Sequence, residues 1–235
     1  MARYHERGSH GRVVQILGEE IISGVHRPDE TIETEALEQR FGVSRTVIRE
    51  AFKVLAGKGL VDSRQRRGTF VRPERDWNKL DPDVLRWRFE SADSAADLFD
   101  ELHEIREMIE PPSARLAAER RAATDVEAAA EALGRMSRTI QVGDVEGFVE
   151  ADEAFHAALL EASHNDLVGS LSVIIELGLR SRDALVHKSL PPPRREITLH
   201  RRVLDAVIAR EPHEAEEAMR ALLTNAASSV PRLSP

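Results

Sequence analysis

Apolar residues recur at helical spacing along most of this chain. Near its start they predict one amphipathic helix that ends near Gly24 and is marked by Val13, Val14, Ile16, Leu17, Ile21 and Ile22. A second helix is predicted over about residues 34–41. From Asp83 onwards, stretches rich in alanine and leucine predict helices and no strands, over about residues 82–90, 94–121, 124–142, 144–163, 165–188, 194–210 and 212–229. Pro111 and Pro112 predict a kink inside the 94–121 helix.

Between these two regions the pattern predicts a third helix with two unlike faces. Its apolar positions recur at helical spacing and are expected to face a core: Val43, Val47, Ala51, Val54 and Leu55. The opposite face carries short polar and cationic side chains: Ser44, Arg45, Thr46 and Arg49. A DNA-recognition helix needs this division, because one face must be anchored while the other reaches phosphates and base edges in the major groove.

A basic β-hairpin is predicted directly after this helix. Gly59 can end the helix in a left-handed conformation, residues 60–61 begin a strand, residues 69–71 form its partner, and Gly68 suits the turn. Three arginines lie between the strands, at Arg64, Arg66 and Arg67. Such a density of positive charge is suited to neutralise DNA phosphates beside a groove. The alternative interpretation of this segment is an ordinary solvated turn. The hairpin follows the recognition pattern at the separation expected of a wing.

These two motifs resemble the GntR-type winged-helix transcription regulators, through GVSRTVIREAFKVLAGKGLV and RRGTFV. The resemblance implies that Arg45 and Arg49 touch operator DNA, with three further residues near its backbone: Ser44, Thr46 and Gly68. One position departs from the family pattern. Many members carry an arginine where this chain has Glu35, and a carboxylate there would repel phosphate.

Charge is divided unevenly along the 235 residues, whose formal net charge is -8. Residues 1–75 hold 14 Lys and Arg against 11 Asp and Glu, a net charge of +3, and the remainder carries -11. Only the first part is therefore suited to phosphate. The absence of cysteine excludes disulfides and thiolate metal sites. No apolar run approaches a membrane span or a secretory leader, so a cytoplasmic protein without a membrane partner is expected.

The predicted fold class is mainly α, with an N-terminal winged helix-turn-helix and a C-terminal all-α helical bundle. Residues 73–82 contain two prolines and few periodic apolar positions, which indicates a linker. Trp77 and Trp87 flank it and are candidates to pack the two domains together. The predicted organisation is a DNA-binding domain, a linker and an effector-binding and dimerisation domain, at residues 1–75, 76–82 and 83–235 respectively.

A second group of chemically active residues lies in the predicted helical domain. Asp152 and His156 stand four positions apart, so their side chains project from one helix face towards the same point. A carboxylate and an imidazole so placed form a natural half of a metal site. From the residues alone, the default interpretation is a hydrogen-bonded Asp and His on a surface helix, and the metal site is the alternative.

The segments ADEAFHAALLEASHN and HRRVLDAV resemble the FCD ligand-binding domain of the FadR branch of this family. The resemblance implies a metal held by four residues, of which three match, at Asp152, His156 and His200. The fourth position, 22 residues after His200, is Leu222, which cannot ligate a cation. Three ligands with water or an effector carboxylate could still hold a divalent ion such as Zn²⁺ or Ni²⁺. Alternatively, effector hydroxyls hydrogen-bond these three side chains directly.

Arg106 stands among apolar neighbours in the predicted 94–121 helix. An arginine on such a stripe needs an anionic partner, which is either Glu110 at i+4 or a ligand. The FCD resemblance implies that Arg106 clamps the carboxylate of an effector. Arg180 either assists it or forms a surface salt bridge.

The linker segment WNKLDPDVLRW resembles that of the galactonate-operon repressors, which implies a sugar acid as effector. The whole pattern predicts a homodimeric regulator that binds a pseudo-palindromic operator, represses a sugar-acid operon and is not an enzyme. Two alternatives remain. A metal-dependent helical hydrolase would use Asp152, His156 and His200 but explains neither the recognition helix nor the wing. A constitutive architectural DNA binder is disfavoured by the acidic second domain.

Overall fold

The computed structural model describes residues 8–91, 95–186 and 194–229. Their Cα atoms form two compact units that divide after Ala95. The N-terminal unit contains the helices α1 (Gly8–Ile22), α2 (Thr34–Phe41), α3 (Arg45–Gly57) and α4 (Pro82–Glu90) and the strands β1 (Thr31–Ile32), β2 (Val61–Arg64) and β3 (Gly68–Val71). The strands form one antiparallel sheet of order β1-β3-β2. This is the predicted winged helix-turn-helix, with the two-residue β1 as an element that the sequence pattern did not predict.

The core of this unit forms where α1 packs across α3. Helix α1 buries its apolar stripe, and α3 contributes Ile48, Ala51, Phe52 and Leu55. The predicted stripe on α3 was therefore displaced: Ile48 and Phe52 are central, whereas Val43, Val47 and Val54 are only partly buried against the core. Packing explains the difference, because α1 covers a face of α3 that is centred one residue beyond the predicted stripe.

Helix α4 belongs to the N-terminal unit, although the sequence interpretation assigned residues 83 onwards to the second domain. Trp87 explains the difference, since its side chain is only 1% exposed and lies directly on α1 at Gly18. Burial of a tryptophan is strongly favourable, so α4 is held on the winged helix. The proline-containing segment before it is consequently part of a folded unit and does not act as a free linker.

A buried cation fastens the start of α4 to the end of α3. Lys58 follows the recognition helix, and its Nζ lies 2.8 Å from Asp81 Oδ1 and 2.5 Å from Asp83 Oδ2. Asp81 is also the N-cap of α4 and accepts hydrogen bonds from the backbone N–H groups of Asp83 and Val84.

The other tryptophan of this segment, Trp77, is also held inside the N-terminal unit, because its Nε1 donates to the Arg72 carbonyl. Both tryptophans thus pack within the N-terminal unit.

The contact at Gly18 yields a stability prediction. A Cβ atom at this position would lie 2.4 Å from the Trp87 ring, so Gly18→Ala should force α4 away from α1 and lower the free energy of unfolding by about 1–3 kcal/mol. Gly57→Ala is the matched control, because its Cβ would meet nothing within 4 Å and alanine is the better helix former. Denaturant titration measures both. Equal stability of the two variants would show that Trp87 does not require a glycine.

The C-terminal unit is entirely helical over its described residues. Its helices are α5 (Ala95–Arg120), α6 (Ala123–Val142), α7 (Val145–Ala162), α8 (Asp166–Gly169), α9 (Ser172–Val186), α10 (Arg195–Ala209) and α11 (Pro212–Ser228). The single helix expected over residues 165–188 is divided into α8 and α9, and its last two residues lie outside the described part, as does residue 94. Helix α5 continues through both prolines, and the kink there remains a prediction.

Helices α6, α7, α10 and α11 surround the main core of this unit. The core includes Leu133, Phe155, Val203 and Leu223, each almost fully buried. Leu222 also belongs to it, with 3% of its surface exposed. In the parts of the chain that the structure describes, no helix is long and apolar enough to cross a membrane. The mainly α fold class is confirmed in both units.

Candidate functional site

The recognition helix presents its polar residues to solvent as the sequence predicted. Ser44 is the N-cap of α3, and all four candidate residues are exposed: Ser44, Arg45, Thr46 and Arg49. Arg45 and Arg49 are one turn apart, so they share a face. Neither forms an ion pair or side-chain hydrogen bond with another described residue. Both guanidinium groups are therefore available to an external anion. Glu35 is exposed in the first turn of α2.

The wing is the hairpin formed by β2 and β3, in which Arg64 pairs with Gly68. Arg66 and Gly68 both have positive φ, of 69° and 81°, so the backbone of the turn is left-handed at these two positions. Arg66 is exposed and has no ion-pair partner among the described residues. Arg64 Nε lies 3.6 Å from a carboxylate oxygen of Asp62, and both side chains are largely exposed.

Arg67 differs from its two neighbours because its guanidinium group is bound within the protein. Its Nη2 donates to the Asp29 carbonyl at 3.0 Å and to Asp29 Oδ1 at 2.8 Å. The carbon at the centre of the guanidinium group lies 3.6 Å from the centroid of the Phe70 ring. The three arginines of the wing are thus chemically unequal, which their spacing in the sequence did not indicate.

The second candidate site is a cluster of three buried side chains. Asp152 and His156 come from α7 and His200 from α10, and one potential ligand atom from each lies within 4.8 Å of the other two. Asp152 Oδ1 is 2.7 Å from His200 Nε2 and 3.4 Å from His156 Nε2. All three residues are at most 3% exposed, so the interpretation of Asp152 and His156 as a surface pair was wrong. The cluster has no fourth histidine or carboxylate in the described residues.

An outer layer of acceptors orients both imidazole rings. His156 Nδ1 hydrogen-bonds to Glu110 Oε2, and His200 Nδ1 donates to the Glu196 carbonyl at 2.7 Å. Glu110 Oε1 in turn accepts from Arg106 Nε at 2.5 Å. Both Nε2 atoms consequently point to the shared centre, which is the arrangement that metal-binding histidines use. Sequence reasoning found Glu110 only as a partner of Arg106 and did not predict its contact with His156.

Charge complementarity in this network outweighs the cost of burial. Burial would raise the pKa of Glu110, but Arg106 and His156 lower it to about 2. Burial would lower the pKa of His156, but Glu110 and Asp152 raise it to about 9. Burial would likewise raise the pKa of Asp152, yet His200 and His156 hold it well below its usual range. Near neutral pH the two carboxylates are ionised and His156 carries a proton on each ring nitrogen.

These residues fit a divalent cation, because two imidazole nitrogens and one carboxylate oxygen converge on one point. They also fit the alternative of hydrogen bonds to ligand hydroxyls, since the same atoms accept and donate. Both interpretations rest on the same observation. The buried polar atoms of the cluster face each other, and their hydrogen-bond partners hold them in that orientation.

Arg106 lies beside this cluster and retains one unused donor. The residue is 1% exposed, and its Nη1 is buried without a hydrogen-bond partner in the described part of the protein. Gly178 of α9 leaves room for it, because a Cβ at that position would lie 2.7 Å from Arg106 Cδ. An unsatisfied buried guanidinium N–H is costly, which makes Nη1 a candidate for binding a ligand.

Arg180, the other candidate for effector binding, is engaged with two carboxylates. Arg180 binds Glu153 at 2.9 Å and lies 3.6 Å from Glu176, which supports the salt-bridge interpretation of this residue. His164 is exposed and hydrogen-bonded to Asp125, His213 is exposed, and His187 lies outside the described residues.

Comparison with known proteins resolves the family. A family model described as bacterial regulatory proteins, gntR family, matches residues 10–71, and the FCD domain matches residues 101–225. The galactonate operon transcriptional repressor of Escherichia coli K12 is 36% identical over 226 residues, which cover 94% of this chain and 95% of that protein. The chain belongs to the GntR family of bacterial transcription regulators. Its regions therefore combine the family's DNA-binding domain with an FCD domain.

Further similarities agree with this membership. The transcriptional regulator LutR of Bacillus subtilis 168 is 31% identical over 211 residues, covering 87% of this chain and 93% of that protein. A solved Listeria monocytogenes structure, whose title states that Lar controls expression of the agr system, superposes with a TM-score of 0.65 at 19% identity. It covers 96% of this chain and 97% of that one, and supports the fold. The GntR chain is thus a regulator of transcription, and the helical hydrolase alternative has no support from its relatives.

Proposed function

We propose that this GntR regulator represses an operon for sugar-acid catabolism and leaves its operator when a small carboxylate binds the FCD domain. The observation that carries the proposal is the buried Arg106, whose Nη1 has no hydrogen-bond partner among the described residues. Glu110 bridges Arg106 to His156, a member of the Asp152, His156 and His200 cluster. Arginine is suited to a carboxylate, and the cluster is suited to several oxygens. A sugar acid offers both groups in one molecule. The galactonate repressor's name supports this class of effector.

On the DNA side, the interface comprises the exposed end of α3 and the wing. We assign to it Ser44, Arg45, Thr46, Arg49, Arg64, Arg66 and Gly68 as candidate contacts, and we include Arg67 as a residue of the same wing. One short recognition helix and one wing cover only half a binding site. The regulator should therefore act as a homodimer on a pseudo-palindromic operator, because dimer symmetry is mirrored in the DNA. Its place of action is then the cytoplasm, where the operator lies.

Zn²⁺ or Ni²⁺ is the proposed cofactor, held by Asp152, His156 and His200. A bound ion would supply coordination positions for effector oxygens that the protein's three ligands leave open. The protein's own residues would set its affinity: Glu110 and the Glu196 carbonyl orient the two rings, and Arg106 keeps Glu110 ionised.

The proposed function is tested with the full chain and a panel of sugar acids that includes D-galactonate. Thermal shift with and without a chelator measures binding, since a ligand that favours the native state raises its melting temperature. Fluorescence anisotropy on an operator obtained by in vitro selection measures DNA release. We expect one sugar acid to raise the melting temperature and to weaken DNA binding. An acid that strengthens DNA binding would refute repression, and failure of every acid to bind would refute the effector class.

Metal affinity should increase with pH if His156 is a ligand. Its pKa of about 9 means that Nε2 is protonated at neutral pH, so an entering ion must displace that proton. Below pH 9, the association constant should rise about tenfold per pH unit for each proton released. Calorimetry with Zn²⁺ in buffers of different ionisation enthalpy counts the protons. His164→Ala, which removes an exposed histidine, is the matched control, and a pH-independent affinity between pH 7 and 8.5 would exclude His156.

Leu222 provides a second test of the metal site. Asn225 Nδ2 donates to Glu196 Oε1, so the face of α11 near residue 225 meets the first turn of α10. Helices α10 and α11 are joined by a tight turn, which makes them antiparallel. Leu222 therefore lies level with His200. Leu222→His should tighten Zn²⁺ binding, whereas Leu222→Met keeps the volume without adding an imidazole ligand. Equal affinity of both folded variants would show that residue 222 does not face the ion.

A further inference from the structure

The guanidinium group of Arg67 is enclosed by two other parts of the winged domain. Two acceptors of Asp29 engage its Nη2, and the ring of Phe70 lies under its plane at 3.6 Å. By contrast, the guanidinium group of Arg64 is 5.3 Å from the same ring. Stacking on an aromatic face and hydrogen bonding at the edge use the two distinct surfaces of a planar guanidinium group.

Both partners of Arg67 are fixed by the sheet. Asp29 N–H donates to the Val71 carbonyl at 2.9 Å, and Val71 N–H donates to the Glu30 carbonyl at 2.9 Å. Phe70 stands opposite Thr31 in the β1–β3 pair and is 4% exposed. Arg67 therefore connects the turn of the hairpin to Asp29, which lies 38 residues earlier in the sequence.

Electrostatics also separate Arg67 from the tip of the wing. The carboxylate of Asp29 offsets the charge of Arg67 locally and repels a phosphate that would approach it. Within the described residues Arg66 has no carboxylate neighbour of this kind, and it stands at the tip with φ of 69°. Of the two adjacent arginines, Arg66 is thus the more attractive partner for the DNA backbone.

We propose that Arg67 is a positioning residue that holds the wing on β1 and Phe70, and that Arg66 makes the phosphate contact at the wing tip. The proposal rests on operator binding by the winged domain. It predicts that Arg67 requires the planar guanidinium group, whereas position 66 requires only a positive charge. Lysine separates the two roles, because its ammonium group keeps the charge but can neither stack as a plane nor hold Asp29 with a fork of donors.

The test compares Arg67→Lys, Arg67→Ala, Arg66→Lys and Arg66→Ala in the full chain, on an operator obtained by in vitro selection with the wild-type protein. Affinity is measured from low to moderate salt. Arg66→Ala should reduce the magnitude of the log–log salt slope by about 0.9, the effect of one lost phosphate contact, and Arg66→Lys should preserve it. Arg67→Ala and Arg67→Lys should both weaken binding by about three- to tenfold with the wild-type slope.

Hydrogen exchange in the absence of DNA provides an independent measurement of positioning. The amides of residues 63–69 should exchange faster in both Arg67 variants and at the wild-type rate in both Arg66 variants. Wild-type affinity of Arg67→Lys, together with a reduced salt slope for Arg67→Ala, would overturn the proposal and make Arg67 a phosphate contact. Unchanged exchange in the Arg67 variants would also overturn it. If the wild-type protein bound no DNA, operator binding itself would fail, while the exchange measurement would still decide the role of Arg67 in the wing.

Discussion

Arg45→Ala and Arg49→Ala should each cause a large loss of operator affinity without loss of fold. Both side chains are exposed, lie on one face of α3 and are free of partners in the described structure, so the core formed by Ile48, Phe52 and Leu55 stays intact. Loss of a bidentate contact to guanine costs about 1–3 kcal/mol and relaxes specificity at one base pair. Loss of a phosphate contact instead weakens binding to every sequence and flattens the salt dependence.

Binding to the selected operator and to a duplex of random sequence distinguishes these two contacts. The matched control is Lys53→Ala, one turn beyond Arg49 on α3, where the ammonium group already pairs with Glu50 at 2.7 Å. The N-terminal part of a recognition helix makes the base contacts, so this variant should bind almost as the wild type does. If both arginine variants kept full affinity, the recognition surface would have to lie elsewhere.

Arg106→Lys should abolish most of the response to a sugar-acid effector while operator binding persists. Lysine can still neutralise Glu110, but it has no counterpart of Arg106 Nη1, the nitrogen that lacks a hydrogen-bond partner in the described part of the chain. A charge-assisted hydrogen bond contributes about 1.5–3 kcal/mol, so the half-maximal effector concentration should rise by roughly 10- to 150-fold. DNA release titrated with D-galactonate, or with the acid found by thermal shift, measures the response.

The structure shows why lysine is the informative replacement at this position. Arg106→Ala would leave Glu110 buried with His156 as its remaining charged partner, and breaking a buried ion pair costs about 3–5 kcal/mol. Alanine would thus confuse loss of binding with loss of stability. Arg115→Lys is a suitable control on the same helix, since that guanidinium group is part-exposed and bound to Glu119. An unchanged half-maximal concentration in Arg106→Lys would make Arg106 purely structural.

Contacts between residues far apart in the sequence were the part of the metal-site geometry that the sequence did not predict. The resemblance to the FCD domain implied the grouping of Asp152, His156 and His200, and their geometry supports it. The partners that orient the rings were not predicted: Glu110 is 46 residues from His156, and the Glu196 carbonyl is a backbone atom with no side-chain signal. Glu110 stands one turn after Arg106, and that arginine was the only protein partner predicted for it.

The sequence by itself determined most of the helices, the polar face of α3, the wing hairpin and the one-turn spacing of Asp152 and His156. Those features depend on backbone geometry that repeats every few residues, so a short window of sequence contains them. Only the tertiary structure decided that α4 belongs to the DNA-binding unit through Trp87. It also decided that Arg67 is engaged by Asp29, whereas Arg66 has no ion-pair partner among the residues described. These outcomes depend on which surfaces meet when the elements pack. Contacts between residues far apart in the chain produce no repeating pattern in the sequence from which they could be predicted.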